Sequence, residues 1–147
     1  MEPGIFLTST SLLDDTFFEK AVIFITEYNE KGALGFVVNK RFPRRLNELE
    51  EFKHGMAFPL YHGGPVDQEH LYFVHRRADL IPGGTPVADG VFMGGDFKEA
   101  LKYLNTGILD KKDIKIFIGY CGWDHHELEV EIAEGSWKVL DTGTLFS

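Results

Sequence analysis

The chain has 147 residues, 44% of them apolar and 26% charged, which suits one hydrophobic core and leaves no room for a second. A formal net charge of -8 and an isoelectric point near 5.2 set its surface, on average, against nucleic acid and anionic membranes. The single cysteine, Cys121, rules out an internal disulfide and a cysteine-rich zinc site.

The expected organisation is one domain spanning residues 1–147, without repeats, low-complexity tracts or linkers. The opening residues carry neither a basic n-region nor a long apolar stretch. The longest apolar run, Ala21 to Ile25, falls far short of the ~20 residues a membrane helix needs. Both features lead to the expectation of a reducing, cytoplasmic setting. The 13 phenylalanines foretell an aromatic core or partner surface.

In chain order, Gly4 to Ser9 reads as a short strand, followed by a turn in which Asp15 caps a brief helical turn through Phe18. Ala21 to Tyr28 is β-branched, aromatic and almost continuously apolar, as a strand buried on both faces should be. A turn at Asn29 to Ala33 returns the chain as Leu34 to Asn39, predicting an antiparallel hairpin. Leu46, Leu49 and Phe52 recur at helical spacing after Pro43. Leu60 to His62 and Leu71 to His75 flank the turn Gly63-Gly64-Pro65, and Gly90 to Gly95 is a second glycine-punctuated segment.

The clearest helix starts at Asp96, where Glu99 completes a capping-box-like pair and Phe97, Ala100, Leu101 and Leu104 line one face up to Gly107. Ile114 to Cys121 reads as a strong strand. Asp124 and Glu127 repeat the capping pattern ahead of Leu128 and Ile132, Gly135 ends that helix, and Trp137 to Leu140 is a last strand. Hairpins first and isolated helices late predict an α+β fold with a mixed, largely antiparallel sheet, curled toward a barrel.

No complete catalytic constellation stands in the sequence. Adjacent His125 and His126 would point about 100° apart on a helix, and a His-x-x-x-His pair is absent. His62 and His75 end two expected strands and would approach each other if those strands paired. That pairing is the basis for an alternative reading as a hydrolase or transferase using histidine and carboxylate groups. Cys121, placed before Gly122 and near the expected helix start at Asp124, has the position of an activated thiol, but neither a base nor an oxyanion hole accompanies it. Gly63-Gly64-Pro65 does not match a phosphate-binding loop. It either makes an anion-binding nest or simply supplies the φ freedom of a sharp turn.

Lys40, Arg41, Arg44 and Arg45 form a basic cluster, and Asp124 to Glu134 holds five acids with no Lys or Arg. The cluster is either a solvated turn or a docking patch for an anion or acidic partner. A DNA-binding regulator would have to use those four residues. The chain's acidity and the lack of a helix-turn-helix pattern or a basic helical face argue against it.

Several stretches together resemble the YqgE/AlgH family of small bacterial proteins over nearly the whole chain. These are Leu13-Asp14-Asp15-x-Phe17-Phe18 running into Val22-Ile-Phe-Ile, Gly32-Ala-Leu-Gly-Phe-Val-Val-Asn-Lys40, Gly63-Gly-Pro-Val66, and Gly119-Tyr-x-Gly-Trp-x-x-x-x-Leu-Glu-x-Glu-Ile-x-x-Gly-x-Trp137. The resemblance implies an α+β fold around a bifurcated, barrel-like sheet with helices outside. It brings no established activity, only a transcriptional-regulator label. Glu127 and Cys121 depart from the family's usual Gln and small residue, which argues against family-wide chemistry at either position. A family site would draw on Asn39, Gly63, Gly64, Pro65, Tyr120, Trp123 and Glu131. The resulting expectation is a non-catalytic binding or regulatory protein without metal or cofactor. In it the glycine turn, Asn39 and a Tyr120–Trp123 loop frame a surface for a protein partner or a small anionic ligand.

Overall fold

The computed structural model describes residues 1–140 and 142–146. Among them nine strands form one sheet: β1 (Phe6–Ser9), β2 (Val22–Asn29), β3 (Gly32–Val37), β4 (Leu60–His62), β5 (Val66–His75), β6 (Thr85–Ala88), β7 (Val91–Met93), β8 (Ile114–Asp124) and β9 (Trp137–Leu140). Two helices, α1 (Phe97–Asn105) and α2 (Glu127–Ala133), pack outside it. The strand order is β6-β7-β5-β8-β3-β2-β1-β9, with β4 also on β8. The sheet does not close into a barrel. The α+β expectation holds, and no described helix is long and apolar enough to cross a membrane.

The fork lies at β8, the longest strand. β5 runs antiparallel to it, pairing Phe73 with Ile116 and Val66 with Tyr120. Along its other edge β4 is parallel at Ile116 to Ile118, and β3 is antiparallel at Cys121 to Asp124. All but β4 are antiparallel to their neighbours, which makes the sheet mixed but largely antiparallel.

Alternation along the strands sorts the core into three clusters. Ile114, Ile116 and Ile118 of β8 face α1, whose Ala100 and Leu104 are buried against them. Ile23, Ile25, Cys121, Trp123 and Trp137 face α2 through Leu128. Phe6, Phe24, Phe36, Val74 and Phe117 form an inner layer, in which Phe36 and Phe117 stack at 4.6 Å. At Gly119 φ is +74°, and the alternation of β8 slips there. Lys115 and Phe117 therefore share the inner face with Tyr120, while Cys121 and Trp123 face α2.

Several local expectations change. Thr10, not Asp15, caps the first turn, a 3₁₀ turn over Ser11–Leu13; Asp15 adopts φ +64° beyond it. Leu46, Leu49 and Phe52 are spaced by exact threes, the 3₁₀ period; Leu46 and Phe52 fall in two such turns, Leu46–Glu48 and Glu50–Phe52, and Leu49 is the extended residue between them. Asp96 caps α1 by accepting from the Glu99 amide at 3.2 Å, as expected. Asp124 caps nothing because it ends β8. α2 begins after His126, which takes φ +63° and offers no side-chain cap. Residues 85–93 make a β6–β7 hairpin that glycine punctuation alone did not reveal.

Two indoles converge on one carboxylate beneath α2. Glu131 Oε1 accepts from Trp123 Nε1 at 3.1 Å and from Trp137 Nε1 at 2.9 Å, joining α2 to β8 and β9. Removing the acceptor leaves two buried donors unpaired, so Glu131→Ala should cost about 2–4 kcal/mol in urea unfolding. Glu131→Gln, which keeps an acceptor oxygen, should cost less than half of that. Gly64 is a second sensitive position. A Cβ there would sit 2.1 Å from the Tyr120 carbonyl carbon and oxygen. Gly64→Ala is expected to lose about 3 kcal/mol or more, while exposed Pro65→Ala stays within about 1 kcal/mol of the parent.

Candidate functional site

The glycine turn is a crossing of chains. Gly63 N–H donates to Ile118 O at 2.8 Å, and Gly63 O accepts from Val37 N–H at 2.8 Å, so this residue bridges β8 and β3 at the fork. Gly64 then carries the chain over β8 to begin β5 on the far edge. A Cβ at Gly119 would lie 2.3 Å from Gly64 O. Backbone cannot approach backbone so closely past a side chain, and this accounts for Gly63, Gly64 and Gly119 together. Pro65 and Val66 follow, exposed at the start of β5.

The other expected site residues are dispersed. The Tyr120–Trp123 stretch is strand, not loop, because β3 and β5 both pair with it. Trp123 is 7% exposed and held by Glu131, so it is not a free anchor for a partner. Tyr120 meets Tyr72 edge-on at 5.5 Å. Asn39 spends its amide on the backbone, accepting from Val22 N–H and donating to Lys20 O, both at 2.9 Å.

His62 and His75 do not meet: β4 and β5 lie on opposite edges of β8 instead of pairing. His62 Nε2 bonds Gln68 Oε1 at 2.9 Å, with the Phe17 ring 4.7 Å away. His75 is fully buried. Its Nε2–H donates to Gly94 O at 3.0 Å and its Nδ1 accepts from Arg77 N–H at 3.1 Å, while desolvation lowers its pKa, so it stays neutral. Cys121 is 2% exposed, its thiol donates to Gly63 O at 3.3 Å, and burial pushes its pKa up to about 12. That is the reverse of an activated nucleophile. His126 bonds Glu129 at 3.1 Å and His125 bonds the Glu30 carbonyl. Among the described residues no three His, Cys, Asp or Glu side chains are grouped to hold a metal ion.

The inner face at the fork holds a different arrangement. Lys115, 5% exposed, lies on the wall of a cavity of about 500 Å³ lined by Val22, Val38, Asn39, Arg41, Tyr61 and Leu140, with Gly143 and Thr144. Its Nζ donates to Leu145 O at 3.1 Å and sits 3.9 Å from the centre of the Tyr61 ring. The Arg41 guanidinium lies 5.6 Å from the centre of that same ring. No described carboxylate comes within 4 Å of either cation. Burial, and then the charge of Arg41, bring the Lys115 pKa down to about 8.

Of the basic cluster, then, Arg41 reaches this cavity, while Lys40 and Arg44 lie over the Phe17 and Phe42 rings. An outer groove of about 490 Å³ runs between the 3₁₀ turns and β5, with Arg44, Glu50, Glu51, Glu69 and His70 along it. Those charged groups are all exposed, so water already solvates them. Desolvated charge singles out the Lys115 cavity. Sequence reading missed Lys115 because a lone Lys in an apolar strand resembles an outward-facing residue. The only signal was that Ile114 to Ile118 reads as buried on both faces.

Folding must desolvate Lys115, and this gives stability a pH dependence. Between pH 8 and the ordinary lysine value of 10.5 the unfolded chain holds a proton that the folded one has released, so stability rises across that window. Lys115→Met removes this rise. The stability gap between the variant and the parent is expected to shift by about 3 kcal/mol in the parent's favour from pH 7 to pH 10.5, measured by urea unfolding.

The AlgH-like family's sequence profile matches residues 6–146. A UPF0301 protein of Chlorobium limicola is 38% identical over 142 residues, 96% of this chain and 75% of its own. One from Bacteroides thetaiotaomicron is 36% identical over 137 residues, 92% and 69% of the two chains. The solution structure of the AlgH protein from Pseudomonas aeruginosa superposes with a TM-score of 0.77 at 25% identity, covering 98% of this chain and 80% of that one. A Corynebacterium diphtheriae crystal structure shares the fold at TM-score 0.76 and 23% identity, covering 97% and 77%. Profile, relatives and fold agree across nearly every residue, and the chain belongs to the AlgH-like family.

Proposed function

We propose that this protein is a non-catalytic binding protein whose inner cavity at the sheet fork takes a small organic anion, a carboxylate carried on an apolar body. One observation supports this above the rest: Lys115 is buried, with a backbone carbonyl and an aromatic ring as its partners, on a cavity that Arg41 also reaches. A desolvated ammonium is costly until a counter-charge meets it, and a bound carboxylate supplies one. Arg41 adds a forked, permanently charged donor suited to a carboxylate. Val22, Val38 and Leu140 line the cavity with apolar surface that matches an aliphatic chain, not a free inorganic ion. Asn39, alone among the seven residues expected to form a family site, lines this cavity and ties its rim to the start of β2.

The test is a titration of isotope-labelled protein with pentanoate, followed by amide shifts, with pentanamide as the neutral control. Pentanoate should move the amides of residues 38–41, 61, 115 and 143–145, and pentanamide should not. Arg41→Gln and Lys115→Met should each weaken binding by about 10-fold or more. Because Lys115 is a cation below about pH 8 and neutral above it, affinity should fall as the pH rises through 8. Equal shifts from the amide and the acid, or none from either, would overturn the proposal.

A further inference from the structure

Building on that anion-binding reading, we infer that Lys115 is a reactive amine that captures an oxo-carboxylate, a ketone or aldehyde borne with a carboxylate, as a reversible imine in the fork cavity. The two cations at the site are chemically unequal. A guanidinium can only pair with an anion, whereas a lysine amine can give up its proton and become a nucleophile. Both lie within 6 Å of the centre of the Tyr61 ring, so one small molecule can meet both if its carboxylate and carbonyl are separated by a short spacer.

Two independent circumstances activate an amine: removal from water and a neighbouring positive charge. Lys115 has both, being 5% exposed on the inner face with Arg41 beside the same ring. Among the described residues, Arg41 and Tyr61 are the charged and titratable groups beside it on this cavity. With its pKa near 8, roughly a tenth of the amine is free at pH 7. The nitrogen is also held in place. One N–H donates to Leu145 O at 3.1 Å, which leaves the lone pair of the neutral amine for a carbonyl carbon.

The chemistry balances without an oxidant or reductant. The lone pair of Nζ adds to the carbonyl carbon, a proton passes from nitrogen to the new alkoxide, and the carbinolamine expels water as the C=N bond forms. Hydrolysis reverses each step. The ligand carboxylate remains on Arg41 throughout, while Thr144 lines the same cavity with a hydroxyl that can hold the departing water. The result is covalent capture, with no turnover.

The experiment incubates the intact protein with 4-oxopentanoate, traps imines with borohydride and maps the adduct by peptide mass spectrometry. A single reduced adduct on Lys115 is expected. Pentanoate should suppress it, Lys115→Arg should abolish it, and Arg41→Gln should lower its yield about 10-fold or more. The Lys115 adduct should level off above pH 8, whereas exposed lysines go on gaining reactivity toward pH 10.5. Adducts scattered over exposed lysines, or a Lys115 adduct indifferent to pentanoate, would overturn the inference, and the pentanoate arm tests this even if a variant folds poorly. If pentanoate shifts the cavity amides but borohydride traps nothing at Lys115, the imine is refuted and anion binding stands. If pentanoate shifts nothing, both are refuted.

Discussion

The backbone of Gly63 and Gly64 passes over β8 at Gly119 and Tyr120 with no space for a side chain at the contact. This passage lets one chain supply β4 to one edge of β8 and β5 to the other, within a few residues. With β4 and β3 sharing an edge of β8, the sheet divides, and its inner layer is not sealed where the two branches part. Tyr61 on β4 and Lys115 on β8 occupy that opening because strand alternation points them inward, next to Val38 just past the end of β3. Gly63 and Gly64, which read as turn residues, and Gly119, which reads as part of a strand, are thus the condition for the cavity.

The buried and half-buried polar groups obey one rule with two outcomes. Glu131 is partly buried and accepts from two indoles, and buried His75 uses both ring nitrogens on backbone groups. These polar groups are satisfied internally and serve the scaffold. Among the described residues Lys115 has one carbonyl and a ring face as partners, which is less than an ammonium with three donors can use. That difference separates a structural polar group from one poised for a ligand. It also explains why the most tempting side chains in the sequence, Cys121 and the histidines, lose their claim once their partners are known.

An anion-binding cavity in a chain of net charge -8 is no contradiction. Exposed charges more than about 8 Å apart are screened at physiological salt, so the average surface potential governs approach more than occupancy. Lys115 is buried on the cavity wall, where screening is weak, and Arg41 stands exposed at the cavity's edge. The acids of residues 124–134 lie at the other end of β8 around α2, away from the fork.

The sequence by itself determined the local elements and the family. The β2–β3 hairpin, β9, α1 with its Asp96 cap, and the α+β class follow from periodicity, β-branching and glycine placement, which are near-neighbour effects. The same holds for the exact-three spacing of Leu46, Leu49 and Phe52, whose 3₁₀ period could have been read from the chain. Only the tertiary structure decided that β4 and β5 lie on opposite edges of β8, which keeps His62 from His75, and that Trp123 and Trp137 close on Glu131. It alone placed Arg41, Tyr61 and Lys115 around one cavity. These residues are separated by up to 74 positions and joined through a chain crossing, and no periodicity within a strand carries the register between strands that are distant in sequence.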